Sequence, residues 1–159
     1  MIRLGLFSLL MLVLAGFASH THALQPFGSG SADEIDARYA DEMALLLVWS
    51  LGCHYCKEGM VRAGELRKKH SDLNLILLNV DPPQDAADVK QVLEDMGLSD
   101  ADNWQFGEGP PARLRAALDP AWFGELPRNY VLQPGKKPRG FSGRLTAEVL
   151  DFWVERSMQ

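Results

Sequence analysis

Residues 44–58 read ALLLVWSLGCHYCKE: an apolar run, a short turn, and two cysteines two residues apart. Ala44 to Ser50 has the length of a strand and is apolar on both faces, as in a strand buried mid-sheet. Leu51-Gly52 breaks the run, and Cys53-His54-Tyr55-Cys56 opens a segment whose spacing predicts a helix to His70. Met60, Ala63, Leu66 and also Val61 are its inner-face candidates, while Gly59 and Gly64 weaken it. A helix N-terminus carries free N–H groups and the positive end of the dipole, so it stabilises an anion. In disulfide exchange the thiolate, not the thiol, is the nucleophile. Cys53, nearest that end, is therefore the attacking sulfur, and Cys56, one turn in and more shielded, the resolving one.

Working outward, Gln25 to Gly30 reads as a loop, and Ser31-Ala32-Asp33-Glu34 as a capping box that opens a helix to Ala40. Leu73 to Val80 is a second buried strand, stopped by Asp81-Pro82-Pro83. Asp85 to Met96 has helical spacing and ends at Gly97. Asn103 to Phe106 is a short strand and Pro110 to Leu118 a short helix. Leu126 to Leu132, a turn at 133–136 and Arg139 to Ser142 form a hairpin. Leu145 to Met158 is an amphipathic helix that buries Leu145, Val149, Phe152 and Trp153. This order predicts an α/β fold, a central mixed β-sheet flanked by helices on both faces.

The N-terminus follows the plan of a secretory signal peptide: Arg3, then an apolar stretch from Leu4 to Phe17, then small residues at Ala18 and Ala23. The apolar run is short for a membrane span, which needs about 20 residues. The expected partition is a signal peptide at 1–23, a loop at 24–30 and one domain at 31–159. An uncleaved N-terminal anchor is the alternative. Export implies an oxidising compartment, where structural disulfides are common. Two intervening residues close so small a loop, however, that the bridge removes little entropy from the unfolded chain. Chemistry explains the pair better than folding does.

The chain has 159 residues, 47% of them hydrophobic, and a net charge of −5. That acidic balance gives no reason to expect a nucleic-acid partner. The run Arg67-Lys68-Lys69-His70 sits late in a helix, where it complements the dipole. Half of a zinc site also reads C-x-x-C, and Cu(I) favours thiolates. Ligation by Cys53 and Cys56, with His54 or His70 and carboxylates, stays open beside redox chemistry, although no second cysteine pair exists to close a zinc site. Exchange itself needs no bound cofactor, because the two sulfurs carry the electrons. A monomer is expected.

The stretch Leu45 to Glu58 resembles the thioredoxin-like fold, and most closely the TlpA-type periplasmic disulfide reductases. Trp49, four residues before Cys53, matches the tryptophan of that pattern. A second landmark, Ala121 to Leu132, is similar to the family's segment around a cis-proline that faces the cysteines. The resemblance implies that Pro127 is that proline, and that Leu126 pairs with an extended client by strand addition. It also implies exported protein substrates with disulfides and a membrane electron donor that keeps the pair reduced. Several features depart from the pattern. Thioredoxin has a buried Asp six residues before its first cysteine, where this chain has Leu47. Many relatives have Met-Pro in the active-site helix, here Met60-Val61. Neither Glu58, read as a solvated helix residue, nor Glu125, read as surface or active-site rim, falls on a motif position.

Residues beside the sulfurs tune them. A protonated His54 would help hold Cys53 as thiolate and move the pair toward oxidant behaviour, leaving a thiol oxidase as an alternative; a neutral, solvated His54 would not. Tyr55 is expected to shield Cys56. Trp49 is expected beneath the site, and Trp104, Trp122 and Trp153 as core or rim residues. Phe123 is expected in core packing, with a substrate-facing apolar rim as its alternative.

Overall fold

The computed structural model describes residues 23–157, so the expected leader lies, but for Ala23, outside the described residues. The elements are β1 (Gln25–Phe27), α1 (Ser31–Arg38), β2 (Met43–Trp49), α2 (His54–Lys69), β3 (Leu73–Asn79), a 3-10 turn (Pro83–Asp85) leading into α3 (Ala86–Asp95), β4 (Asp102–Phe106), α4 (Pro111–Leu118), β5 (Arg128–Leu132), β6 (Arg139–Ser142) and α5 (Ala147–Ser157). They build one six-stranded sheet in the order β1-β4-β3-β2-β5-β6. The first four strands of that order run parallel; β5 runs antiparallel to β2, and β6, antiparallel to β5, runs the same way as β2. The expected mixed sheet is therefore present.

β2 is apolar throughout because it is covered twice. Leu45, Leu47 and Trp49 point into one cluster with α2, α3 and α5. Ala44, Leu46 and Val48 point into the other, with Ile35 of α1 and Leu114 of α4. Successive side chains on a strand face opposite ways, so only an unbroken apolar run serves a strand between two helical layers.

Four local expectations change. Gln25–Phe27 is a strand rather than a loop: it pairs in parallel with β4 from Gln25↔Trp104 to Phe27↔Phe106. It is an edge strand, where Pro26 and its missing N–H are tolerated. Buried Asp102 ties it down, accepting from Gln25 Nε2 at 2.5 Å, Arg38 Nη1 at 2.8 Å and the Tyr39 hydroxyl at 3.0 Å. Ser31 does not cap α1. Gly30 holds that position, and the Ser31 hydroxyl turns back to accept from the Gly28 N–H at 2.9 Å. Val61 is exposed, because the inner face of α2 is Cys56, Gly59, Met60, Ala63, Gly64 and Leu66. The two glycines let α2 sit close: a Cβ at Gly59 would lie 3.3 Å from Leu145 Cβ, and one at Gly64 2.9 Å from Leu98 Cδ2. In α5, Leu150 is buried and Phe152 is half exposed, since two residues carry Phe152 about 200° round the helix from Leu150.

Candidate active site

β2 delivers the chain to Trp49, and the turn Ser50-Leu51-Gly52 leads to Cys53. Cys53 is the N-cap of α2, and its Sγ accepts from the Cys56 N–H at 3.2 Å. The sulfur thus stands where a serine or aspartate oxygen caps other helices, against the free N–H groups and the positive dipole end. The two cysteines are joined by a disulfide, with Cα atoms 5.3 Å apart. Cys53 is half-buried, while Cys56 is 2% exposed. Their unequal access matches the expected division between attacking and resolving sulfur.

The turn before Cys53 is fixed by a polar network that the sequence reading did not single out. Asp81 Oδ2 accepts from the Leu51 N–H at 2.6 Å and from Asn79 Nδ2 at 2.8 Å, and the Asp81 N–H returns a bond to Asn79 Oδ1 at 2.9 Å. Gln105 Nε2 donates to the Asp81 and Pro82 carbonyls. Val80 N–H donates to the Trp49 carbonyl at 2.9 Å. Asn79 is fully buried. The available signal was that polar residue at the end of an otherwise apolar strand, since a buried amide demands partners.

Beneath the pair, Cys56 packs in the apolar cluster with Leu47, Trp49 and Met60. Leu47 is 3% exposed, so the departure from thioredoxin's acid is a dry apolar contact. Among the described residues the buried carboxylate is Asp102. It lies at the other pole: Trp49 is in register with Asn79 and Asn79 with Gln105, three residues beyond Asp102. At about 3.3 Å per residue that is ~10 Å along the sheet from the end carrying the cysteines.

At the same end of the sheet, the Leu126-Pro127 bond is cis. β5 begins at Arg128, paired with Val48, which puts Pro127 at the same sheet end as Trp49 and the cysteine turn. Leu126 is half-buried and packs on the cluster that also receives Cys53. The Pro127 carbonyl accepts from the Gly143 N–H at 2.9 Å, and Asn129 Nδ2 donates to the Gly143 carbonyl at 3.0 Å. Trp122 is buried, with Nε1 donating to the Glu125 carbonyl at 2.9 Å. Phe123, expected in the core, is 87% exposed. Its loop turns outward through Gly124 at φ +103°, where the Arg115 side chain lies within 3.2 Å of any added Cβ. Glu125 is exposed; the Ser142 hydroxyl donates to it at 2.5 Å and holds its carboxyl below the usual range.

Nearby, Asp119 receives the Ala121 N–H at 2.8 Å, Arg128 Nη2 at 2.6 Å and the Tyr130 hydroxyl at 3.0 Å. Burial opposes its ionisation, but the three bonds together outweigh that and hold the carboxyl below its ordinary value. A depressed carboxylate stabilises the fold above its unfolded pKa, near 4, and the contribution vanishes as pH falls through the lower folded value. Urea midpoints should therefore drop more for the wild type than for Asp119→Asn between pH 4 and pH 2, while at pH 7 the variant should be the weaker by roughly 1–2 kcal/mol. Equal acid sensitivity of the two proteins would contradict this.

The dipeptide between the sulfurs faces outward. His54 is exposed, with Nε2 3.2 Å from Glu58 Oε1. Tyr55 is half exposed, and its ring lies 4.3 Å from the Arg144 guanidinium carbon. Tyr55 thus stacks with an arginine on the surface, and the apolar cluster covers Cys56. Glu58 is not merely solvated, since its Oε2 also accepts from Arg144 Nη2 at 2.8 Å. No group of three or more His, Cys, Asp or Glu placed to hold a metal ion occurs among the described residues. None of the described helices is long and apolar enough to cross a membrane.

No family model and no curated protein matches this sequence. Solved structures do match in shape. The thioredoxin domain of a thiol-disulfide oxidoreductase from Bacteroides vulgatus superposes with a TM-score of 0.61 at 11% identity, over 76% of this chain and 83% of that one. A DsbF homologue from Corynebacterium diphtheriae gives 0.60 at 18% identity, over 76% and 75%. A thioredoxin-like protein solved in its oxidised form gives 0.57 at 21% identity, over 74% and 78%. At these identities what is shared is the fold. Sheet order, cysteine pair at a helix start and cis-proline opposite therefore belong to a chain with the thioredoxin-like fold.

Proposed function

We propose that this chain is an exported thiol–disulfide oxidoreductase that works in the periplasm as a reductase of protein disulfides. The observation that carries the reading is Cys53 Sγ at the N-cap of α2, accepting the Cys56 N–H, with Cys56 buried behind it. In the reduced protein the Cys53 thiolate attacks one sulfur of a client disulfide. The client's S–S bond breaks, a Cys53–client bond forms, and the departing client sulfur takes up a proton. Cys56 then gives up its proton and attacks Cys53 Sγ. The client leaves as a dithiol, the Cys53–Cys56 disulfide is restored, and two electrons have passed to the client. A dithiol donor at the membrane returns the pair to the reduced form. The backbone at Leu126, beside cis-Pro127, meets the client as an added strand. The solved neighbours described as oxidoreductases support the chemical class.

The direction is tested by equilibrating the pair with glutathione. A potential near that of thioredoxin, about −270 mV, together with reduction of insulin disulfides, supports the reductase. A potential near about −120 mV would overturn it in favour of a thiol oxidase.

A further inference from the structure

Three consecutive residues between β6 and α5 touch the site from three sides. The Gly143 N–H holds the Pro127 carbonyl at 2.9 Å. Arg144 Nη2 meets Glu58 at 2.8 Å and the guanidinium lies 4.3 Å from the Tyr55 ring centre. Leu145 is buried, with its Cβ 3.3 Å from where a Cβ on Gly59 would stand. Packing at Gly59 and the bond to Pro127 thus fix the backbone on both sides of Arg144. The arginine is thereby set over the start of α2.

Glu58 is the hub of this contact. One of its oxygens faces His54 Nε2 and the other Arg144. No acid occupies the first turn of α2, so Glu58 is the first negative charge along the helix. It stands five residues from Cys53, about 7.5 Å along the axis. At that range a carboxylate opposes a thiolate and a guanidinium favours one. The remaining charges of the helix start, Lys57 and the dipole, favour the thiolate too.

We propose that Glu58 and Arg144 are an opposed pair of positioning residues that sets the ionisation of Cys53, and through it the dithiol–disulfide equilibrium. Glu58 restrains His54 and weakens the positive field at Cys53; Arg144 offsets Glu58. This rests on the redox reading of Cys53 and Cys56 given above. Removing the two charges should then move the equilibrium in opposite directions, which loss of a merely structural contact would not do.

The test compares Glu58→Gln, Arg144→Gln, Arg144→Lys and the Glu58→Gln/Arg144→Gln double variant. Each full chain is equilibrated with glutathione redox buffers and its Cys53 thiolate is titrated by ultraviolet absorbance. Glu58→Gln should lower the thiol pKa and shift the equilibrium about threefold toward the reduced form, about 14 mV more oxidising. Arg144→Gln should raise the pKa and shift the equilibrium about threefold the other way. Arg144→Lys, which keeps the charge, should stay near the wild type, as should the double variant. Because these side chains are partly exposed, the shifts should shrink in 1 M salt. Shifts of the same sign, or none, would overturn the proposal. Should Arg144→Gln fail to fold, Glu58→Gln decides alone: a potential unchanged or lower than wild type refutes it. A wild type that does not exchange with glutathione at all would refute the redox reading itself, a different outcome from parallel variants.

Discussion

Cys53→Ser should abolish disulfide exchange, and Cys56→Ser should leave a protein that attacks once and stops. The two outcomes differ because the two sulfurs are placed differently. Cys53 Sγ is at the helix cap and half-accessible, so it meets a client first. Cys56 is 2% exposed and reaches only its own partner, 5.3 Å away between Cα atoms. Held at that distance, Cys56 resolves the mixed disulfide as an intramolecular thiol, an advantage no external thiol at ordinary concentration matches. Its loss should slow turnover about a thousandfold or more. The mixed disulfide of Cys56→Ser should accumulate and be visible on non-reducing gels as a band released by dithiothreitol. Cys53→Ser should give no such band. Recovery of Cys53-linked adducts would also name the clients. If the Cys53→Ser protein trapped clients through Cys56 instead, the order of attack would be reversed and the cap geometry would not govern reactivity.

Much of this site follows from local chain logic. Ala44 to Trp49 can be read as a central strand because a strand covered on both faces has no polar side to show. The cysteine pair can be read because a strand, a turn and a helix start leave little choice over where Cys53 sits. Pro127 came from resemblance: nothing in the dipeptide Leu126-Pro127 distinguishes cis from trans, and the structure places it cis. What escaped the sequence depends on partners far along the chain. β1 is a strand only because β4 offers an edge 79 residues later, as in Gln25↔Trp104. The bond from Arg144 to Glu58 spans 86 residues. Asp81 holds the cysteine turn from the end of β3, and Gln105 of β4 holds the Asp81 carbonyl in turn. Phe123 was misplaced for another reason: hydrophobicity argues for burial, but the backbone at Gly124 turns the loop outward.

Leu47→Asp should destabilise the protein severely at pH 7 and much less near pH 4. Leu47 is in register with Leu77 on one side and Asn129 on the other, and its Cδ2 comes within 3.9 Å of where a Cβ on Gly59 would stand. It is buried in the apolar cluster of Cys56 and Met60. Burial among those side chains would raise the folded pKa of a carboxyl there by about three units. The sign is then the reverse of that for Asp119. The pH-dependent cost is absent while the carboxyl is protonated, and stability falls as pH climbs from the unfolded pKa near 4 to the folded value. Three units correspond to ~4 kcal/mol at neutral pH, a large part of the 5–15 kcal/mol that holds a domain together. Leu47→Asn supplies the control, since it loses the same packing, ~2–3 kcal/mol, without a pH-dependent part. Urea midpoints of the two variants should coincide near pH 4 and separate steadily above it. Coincidence at pH 7 would mean that water or a cation reaches position 47. The expected separation has a chemical side as well. A dry shell around Cys56 disfavours a second anion there, so negative charge gathers at the cap, on Cys53, until a mixed disulfide forms. Leu47 is then part of what makes the two sulfurs unequal.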